Sequence, residues 1–282
     1  MLSGYSYTIE TEVRLINMKN VMFELDRIFK DVTPETTGLF LDFDGTISRI
    51  DSSPIERKTS NKALNLIKIL STKLRLVTIL SGRRSKDIYQ RMLLDRLIYI
   101  GNHGGEYIER GRLYMSPNSV SQKCKIDKLF EKLRALADSK GVIWENKGLS
   151  GSVHFREAKN PSLAGKKLSE ALKSTNTYGL ETYWGKMVLE VRSPGNPNKG
   201  NAIEQFVSKY DLKHVLFLGD DMTDLDGMIA IQKIRNNTVL KTFGIVVLDQ
   251  NTPEKLLESG DYIIEGVDQV EELLLRMTTK FL

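Results

Sequence analysis

Apolar residues along this chain recur at two spacings, and the switches between them mark out its elements. Runs with almost no polar interruption, at Gly38 to Phe43, Leu74 to Leu80, Leu97 to Ile100, Val215 to Leu218, Phe243 to Leu248 and Tyr262 to Ile264, read as strands buried on both faces. Between them, apolar positions three and four apart predict helices. One carries Ala63, Leu64, Leu66, Ile67 and Leu70 behind a Ser60-Asn61 cap, a second covers Lys86 to Leu94, and a third opens at Asn198 with Ala202, Ile203, Phe206 and Val207 inward. Two more follow near Pro253 to Glu258 and at Val267 to Met277. Strands alternating with helices through right-handed crossovers make an α/β domain with a parallel sheet. Ahead of it, Met18, Val21, Met22, Leu25, Ile28, Phe29 and Val32 predict one amphipathic helix, ended by Pro34, in an extension over residues 1–35.

From about Glu106 the period changes. Hairpins are predicted at Tyr107 to Tyr114, Val142 to Arg156 and Leu180 to Val191, turning at Arg110-Gly111, Lys147-Gly148 and Trp184-Gly185. Helices at Ile126 to Ala137 and Leu163 to Leu172 alternate with them. This describes a small α+β domain over 106–194, inserted between core segments 36–105 and 195–282, with Pro194-Gly195-Asn196-Pro197 marking the return.

Composition narrows the class of protein. With 282 residues, 40% hydrophobic and 27% charged, the chain is an ordinary globular one, and no apolar run reaches the roughly 18 to 20 residues that cross a bilayer. The first residues lack a basic segment followed by an apolar core, so the chain is expected to stay in the cytoplasm. Cys124 is the single cysteine, which excludes an internal disulfide and a cysteine metal cluster. The net charge of +5 does not read as a nucleic-acid footprint, because Lys123, Lys125, Lys128 and Lys132 alternate with Asp127 and Glu131. A modest positive balance suits small anionic substrates.

The candidate chemistry lies where strands end. Leu39-Phe40-Leu41 runs into Asp42-Phe43-Asp44-Gly45-Thr46, which delivers two carboxylates to the carboxyl edge of the sheet and asks for a cation between them. A turn at Gly45 can swing Asp44 away from Asp42. The next strands end in Ser81-Gly82-Arg83-Arg84 and Gly101-Asn102-His103-Gly104-Gly105, and a fourth edge carries Gly219-Asp220-Asp221-Met222-Thr223-Asp224. Backbone N–H groups at a strand end and helix start, together with the Ser81 hydroxyl, form an anion site. Carboxylates, a hydroxyl and Lys199 gathered at one edge are the parts for phosphoryl transfer. In that role Asp42 is the nucleophile, Asp44 the acid/base, Ser81, Gly82, Arg83 and Lys199 the holders of phosphate oxygens, and Asp42, the main chain at Asp44 and Asp220 the ligands of Mg²⁺.

These four segments, in this order, resemble the motifs of the haloacid dehalogenase-like phosphatases, whose fold is a Rossmann-like core. Only 36 residues separate Asp44 from Ser81, so the inserted α+β cap falls between the second and third motifs, as in the subgroup that hydrolyses phosphorylated sugars and small metabolites. After Thr36 the chain resembles trehalose-6-phosphate phosphatases. The likeness rests on Gly101-Asn102-His103-Gly104, Ser152-Val153-His154-Phe155-Arg156, Gly185-Lys186-Met187-Val188-Leu189-Glu190-Val191-Arg192 and Asn198-Lys199-Gly200.

The resemblance implies an Mg²⁺-dependent hydrolase that releases trehalose from trehalose 6-phosphate. It places His103 near the sugar and Lys186, Glu190 and Arg192 on the substrate side of the cap. Lys186 and Glu190 would share one strand face, and a cross-strand salt bridge is the alternative for them. Partners implied are a small sugar phosphate and a separate trehalose-phosphate synthase, since no synthase domain precedes Asp42 and a stand-alone enzyme is expected. Leu225 stands where the family has an acid, with Asp226 next. Hydrolysis of sucrose phosphate or a phosphorylated glycosyl-glycerate, or a non-catalytic sugar-phosphate sensor, are the competing readings.

Overall fold

A computed structural model of the protein describes residues 18–49, 58–115, 119–185, 187–192, 198–250 and 252–281. The chain divides into two units, one of residues 1–114 with 197–282 and one of residues 115–196.

The first unit is built on an eight-stranded sheet. Its strands are β1 (Thr37–Asp42), β2 (Leu76–Leu80), β3 (Ile98–Gly101), β4 (Glu106–Glu109), β5 (Arg112–Met115), β10 (His214–Gly219), β11 (Lys241–Leu248) and β12 (Tyr262–Glu265), in the order β12-β11-β10-β1-β2-β3-β4-β5. From β12 to β3 all neighbours are parallel, and β4 runs antiparallel to β3. Alternate residues feed two apolar layers. Leu39 and Leu41 of β1 join Ile67, Leu70, Leu273 and Leu274 on one face, while Phe40 joins Ala202, Ile203, Phe206 and Met228 on the other. The chain leaves β1 toward β2 on one side and returns to β10 on the other. The switch point therefore lies between β1 and β10, and a crevice opens at their carboxyl ends.

The second unit holds a four-stranded antiparallel sheet, β6 (Ile143–Asn146), β7 (Ser150–His154), β8 (Glu181–Gly185) and β9 (Val188–Arg192), in the order β6-β7-β9-β8. Helices Ser119–Ala137 and Pro161–Ser174 cover one face, with Ile126, Leu129, Leu133 and Leu168 packed on Val153, Leu189 and Val191.

Three expectations change. The single N-terminal helix is replaced, from Met18 on, by a 3-10 turn at Val21–Phe23 and one helical turn at Leu25–Ile28. The side chain of Asn20 caps Met22 N, and Val21, Ile28 and Phe29 are buried although no single helix carries them. The hairpin of β4 and β5, expected in the cap, extends the core sheet, so the first crossing lies after Tyr114 and not at Gly105. Helix Leu225–Asn237 was not anticipated, and it buries Met228, Ala230, Ile231 and Ile234 on the core. No helix among the described residues is long and apolar enough to cross a membrane.

Candidate active site

The parity of β1 decides where its carboxylate goes. Asp42 lies two residues after Phe40 and so faces the layer formed by helix Lys199–Lys209. Lys199 is the first residue of that helix. Its Nζ donates to Asp42 Oδ1 at 2.6 Å and to Asp224 Oδ1 at 2.7 Å. A cation at a helix N-terminus opposes the helix dipole, so the two carboxylates must hold it there. Asp224 is fixed in turn: the Asp220 and Asp221 amides both donate to its Oδ2 at 3.1 Å, in a capping box that opens the turn after β10. Asp220 Oδ1 accepts from Thr46 Oγ1 at 3.1 Å.

One oxygen each of Asp42, Asp220 and Asp224 lies within 4.8 Å of the other two, and all three residues are buried. Burial pushes the Asp42 carboxyl well above the usual carboxylate range, against the pull of Lys199. Burial and then Asp42 do the same to Asp220, and burial raises Asp224 to about 6. Burial alone would lower the Lys199 ammonium, but Asp224 and Asp42 outweigh it and hold it well above its ordinary value. Three buried carboxylates against one ammonium, all donors being oxygen, fit a hard divalent cation.

Gly45 lets this cluster close. Its φ of 94° turns the chain after β1, and a Cβ there would sit 2.1 Å from Asp220 Oδ2. Gly45→Ala is therefore expected to cost roughly 1–3 kcal/mol from the left-handed backbone alone. It should also weaken divalent-metal affinity by displacing Asp220. Thermal melts with and without metal would read both effects, and an unshifted metal-induced rise in melting temperature would rule out the displacement.

Past the turn, Asp44 is held by Arg83, whose Nε and Nη2 donate to its two carboxylate oxygens at 2.7 Å each. Arg83, expected on phosphate, thus binds the acid/base candidate. Ser81 is buried, and its Oγ accepts from Arg83 N at 3.1 Å, leaving the hydroxyl proton to donate. Gly82 has no room for a side chain, because the His103 ring lies 2.7 Å from where its Cβ would be. At the helix start expected to serve in an anion site, Ser85 N donates to the carboxylate of Glu106 at 2.7 Å.

In the second unit, Glu190 stands in a cross-strand row with Ser152 and Tyr183. Ser152 Oγ donates to Glu190 Oε1 at 2.9 Å and accepts from Lys147 Nζ at 2.8 Å. Arg192 lies over the Tyr183 ring at 5.5 Å. Lys186 falls outside the described residues, and the strand bearing Glu190 begins at Val188. Sequence reasoning missed Thr46, Glu106, Lys147 and the bond between Lys199 and Asp224. Two of these had a signal: Thr46 closes the Asp42 to Thr46 motif, and Asp224 is an acid four residues beyond Asp220.

The trehalose-phosphatase family model matches residues 40–255, which span every element of this cluster. The chain belongs to the trehalose-phosphatase family. It is 28% identical over 259 residues to probable trehalose-phosphate phosphatase H of Arabidopsis thaliana, covering 85% of this chain and 71% of that protein. It is also 27% identical over 212 residues to an uncharacterized glycosyl hydrolase of Mycobacterium tuberculosis, covering 71% of this chain but 16% of that far longer protein. The C-terminal domain of Candida albicans trehalose-6-phosphate phosphatase superposes with a TM-score of 0.70 over 98% of this chain and 99% of that one, at 20% identity, and so shares the fold. Members of this family are haloacid dehalogenase-like hydrolases, and the core sheet and motif order found here are theirs.

Proposed function

We propose that the protein is an Mg²⁺-dependent phosphatase that hydrolyses trehalose 6-phosphate to trehalose and phosphate. The buried Asp42, held by Lys199 at the switch point of the sheet, carries this reading. With Oδ1 engaged by Lys199, the other oxygen of Asp42 attacks phosphorus, and an aspartyl-phosphate forms as the bond from phosphorus to the sugar oxygen breaks. Asp44 gives the departing oxygen a proton and later takes one from the water that releases phosphate, which requires Arg83 to yield part of its hold. Ser81, the loop that follows it and Lys199 hold the transferring oxygens. Asp42, Asp220 and the main chain at Asp44 would hold Mg²⁺, with Asp224 beside them. When bound, the ion supplies positive charge against the phosphate. The same reading puts the enzyme in the cytoplasm, in association with a trehalose-phosphate synthase.

His103, Lys186, Glu190 and Arg192 are assigned to the sugar. Phosphate release across trehalose, sucrose and glycosyl-glycerate phosphates, with and without Mg²⁺, tests the assignment, and preference for another sugar would leave the phosphatase class alone standing. Glu190→Ala is expected to lower kcat/KM for trehalose 6-phosphate by roughly ten- to a thousandfold, about 1.4–4 kcal/mol, and to change aryl phosphate hydrolysis far less. Equal losses on both would make Glu190 a structural residue.

A further inference from the structure

Beyond the ends of β2 and β3, two loops of the core run side by side and are stitched together by the main chain. Ser81 N donates to Ile100 O at 3.0 Å, His103 N to Ser81 O at 3.0 Å, and Asn102 N to Arg83 O at 2.7 Å. The stitching demands a rare backbone: Asn102 and His103 are both left-handed, with φ of 50° and 57°. Two successive non-glycine residues hold that conformation only where their surroundings over-determine it.

The last stitch is a side chain. Glu106, 7% exposed at the start of β4, uses Oε1 to accept both Ser85 N at 2.7 Å and Ser85 Oγ at 3.0 Å. Ser85 opens helix Ser85–Met92, and Arg84 before it supplies no side-chain cap. A carboxylate 21 residues further on does that work instead. Burying a carboxylate is an expensive way to cap a helix that serine or asparagine at position 84 would cap from solvent. A local cap, however, would not tie the two loops together. Gly101 completes the tie, since a Cβ there would lie 2.1 Å from Ser85 N and force the loops apart.

We propose that Glu106 is a positioning residue for phosphate: it fixes the Ser81 to Arg84 loop against the Asn102 to Gly105 loop, so that the Ser81 hydroxyl and the His103 ring keep one geometry. This rests on the reading of Ser81 as a phosphate holder. Glu106 itself touches no reacting atom. Its effect is carried by the loops, whereas the carboxylates of Asp42, Asp220 and Asp224 are borne by β1 and the turn after β10.

Titration of the Mg²⁺-loaded protein with inorganic phosphate, well below the thermal transition, tests this. Glu106→Ala is expected to raise the phosphate Kd by roughly ten- to a hundredfold and leave Mg²⁺ affinity, measured without phosphate, within about threefold. Glu106→Gln, whose amide oxygen still accepts from Ser85 N, should stay within a few-fold of the parent in both. Unchanged phosphate affinity in Glu106→Ala, or an equal loss of Mg²⁺ affinity, would overturn the proposal. If the alanine variant does not fold, Glu106→Asp withdraws the carboxylate by one carbon, and it must weaken phosphate binding without weakening Mg²⁺. Turnover of an aryl phosphate by the parent protein is measured alongside. Its absence would refute the phosphatase reading, whereas the phosphate titration judges Glu106.

Discussion

Asp42→Asn will abolish phosphate release, by about 10⁴-fold or more, and leave the protein as stable as before or more so. The two halves of that result have different causes. Asparagine has no carboxylate to attack phosphorus, so turnover should fall below detection in a phosphate-release assay. Stability should hold because the amide oxygen can still accept from Lys199 Nζ, and because the substitution removes one of three carboxylates crowded within 4.8 Å. The native carboxyl is itself disfavoured as an anion by burial and by Asp224. A variant with the parent's turnover would refute Asp42 as nucleophile. A variant that melted several degrees lower would show that the ionised carboxylate holds the core together.

Lys199→Met carries the largest expected loss of stability. Methionine keeps most of the volume and removes the ammonium bonded to both Asp42 and Asp224. Breaking a buried pair by deleting one partner costs about 3–5 kcal/mol, and near 2–4 °C per kcal/mol this lowers the melting temperature by roughly 6–20 °C. The deficit should depend on pH. Acids whose folded pKa lies above the unfolded value take up protons on folding, so their stability is greatest when protonated and declines as pH rises from about 4 through the folded pKa, about 6 for Asp224 in the intact cluster. Loss of Lys199 raises these values further. The variant should therefore be closest to the parent near pH 5 and furthest from it near pH 8, where added Mg²⁺ should recover part of the difference. Melts with an equal deficit at both pH values would show that electrostatics is not the cause. Activity should be lost throughout, because the same ammonium is assigned to phosphate.

What the sequence showed and hid follows from how each contact is made. Asp42 and Asp220 were legible because each closes an apolar strand, and strand ends on one side of a parallel sheet meet by topology. Lys199 was legible from its place at the start of an amphipathic helix after Asn198. The pairing of Arg83 with Asp44, and of Glu106 with Ser85, was not, because both join side chains on different loops and leave no periodicity. The hairpin of β4 and β5 was placed in the wrong unit for a related reason: alternation reveals a strand but not which sheet it joins. Helix Leu225–Asn237 escaped notice behind the acidic loop that precedes it, and the short turns after Asn20 were hidden by apolar residues that merely happen to fall at helical spacing.

The position of β1 at the centre of the sheet also sets a timetable for synthesis. Thr37 pairs with His214 and Leu41 with Leu218, so half of the central strand's ladder waits for residues made some 177 positions later. At about 5–20 residues per second, that interval is roughly 10–35 s. Throughout it, the edge of β1 that β10 will cover, with Leu39, Phe40 and Leu41 alongside, has no partner from its own chain. Long-range parallel pairing is slow to form, and an open apolar edge recruits other chains, so the window in which this protein is most exposed to aggregation lies on the ribosome, before the acidic loop at Asp220 has been made.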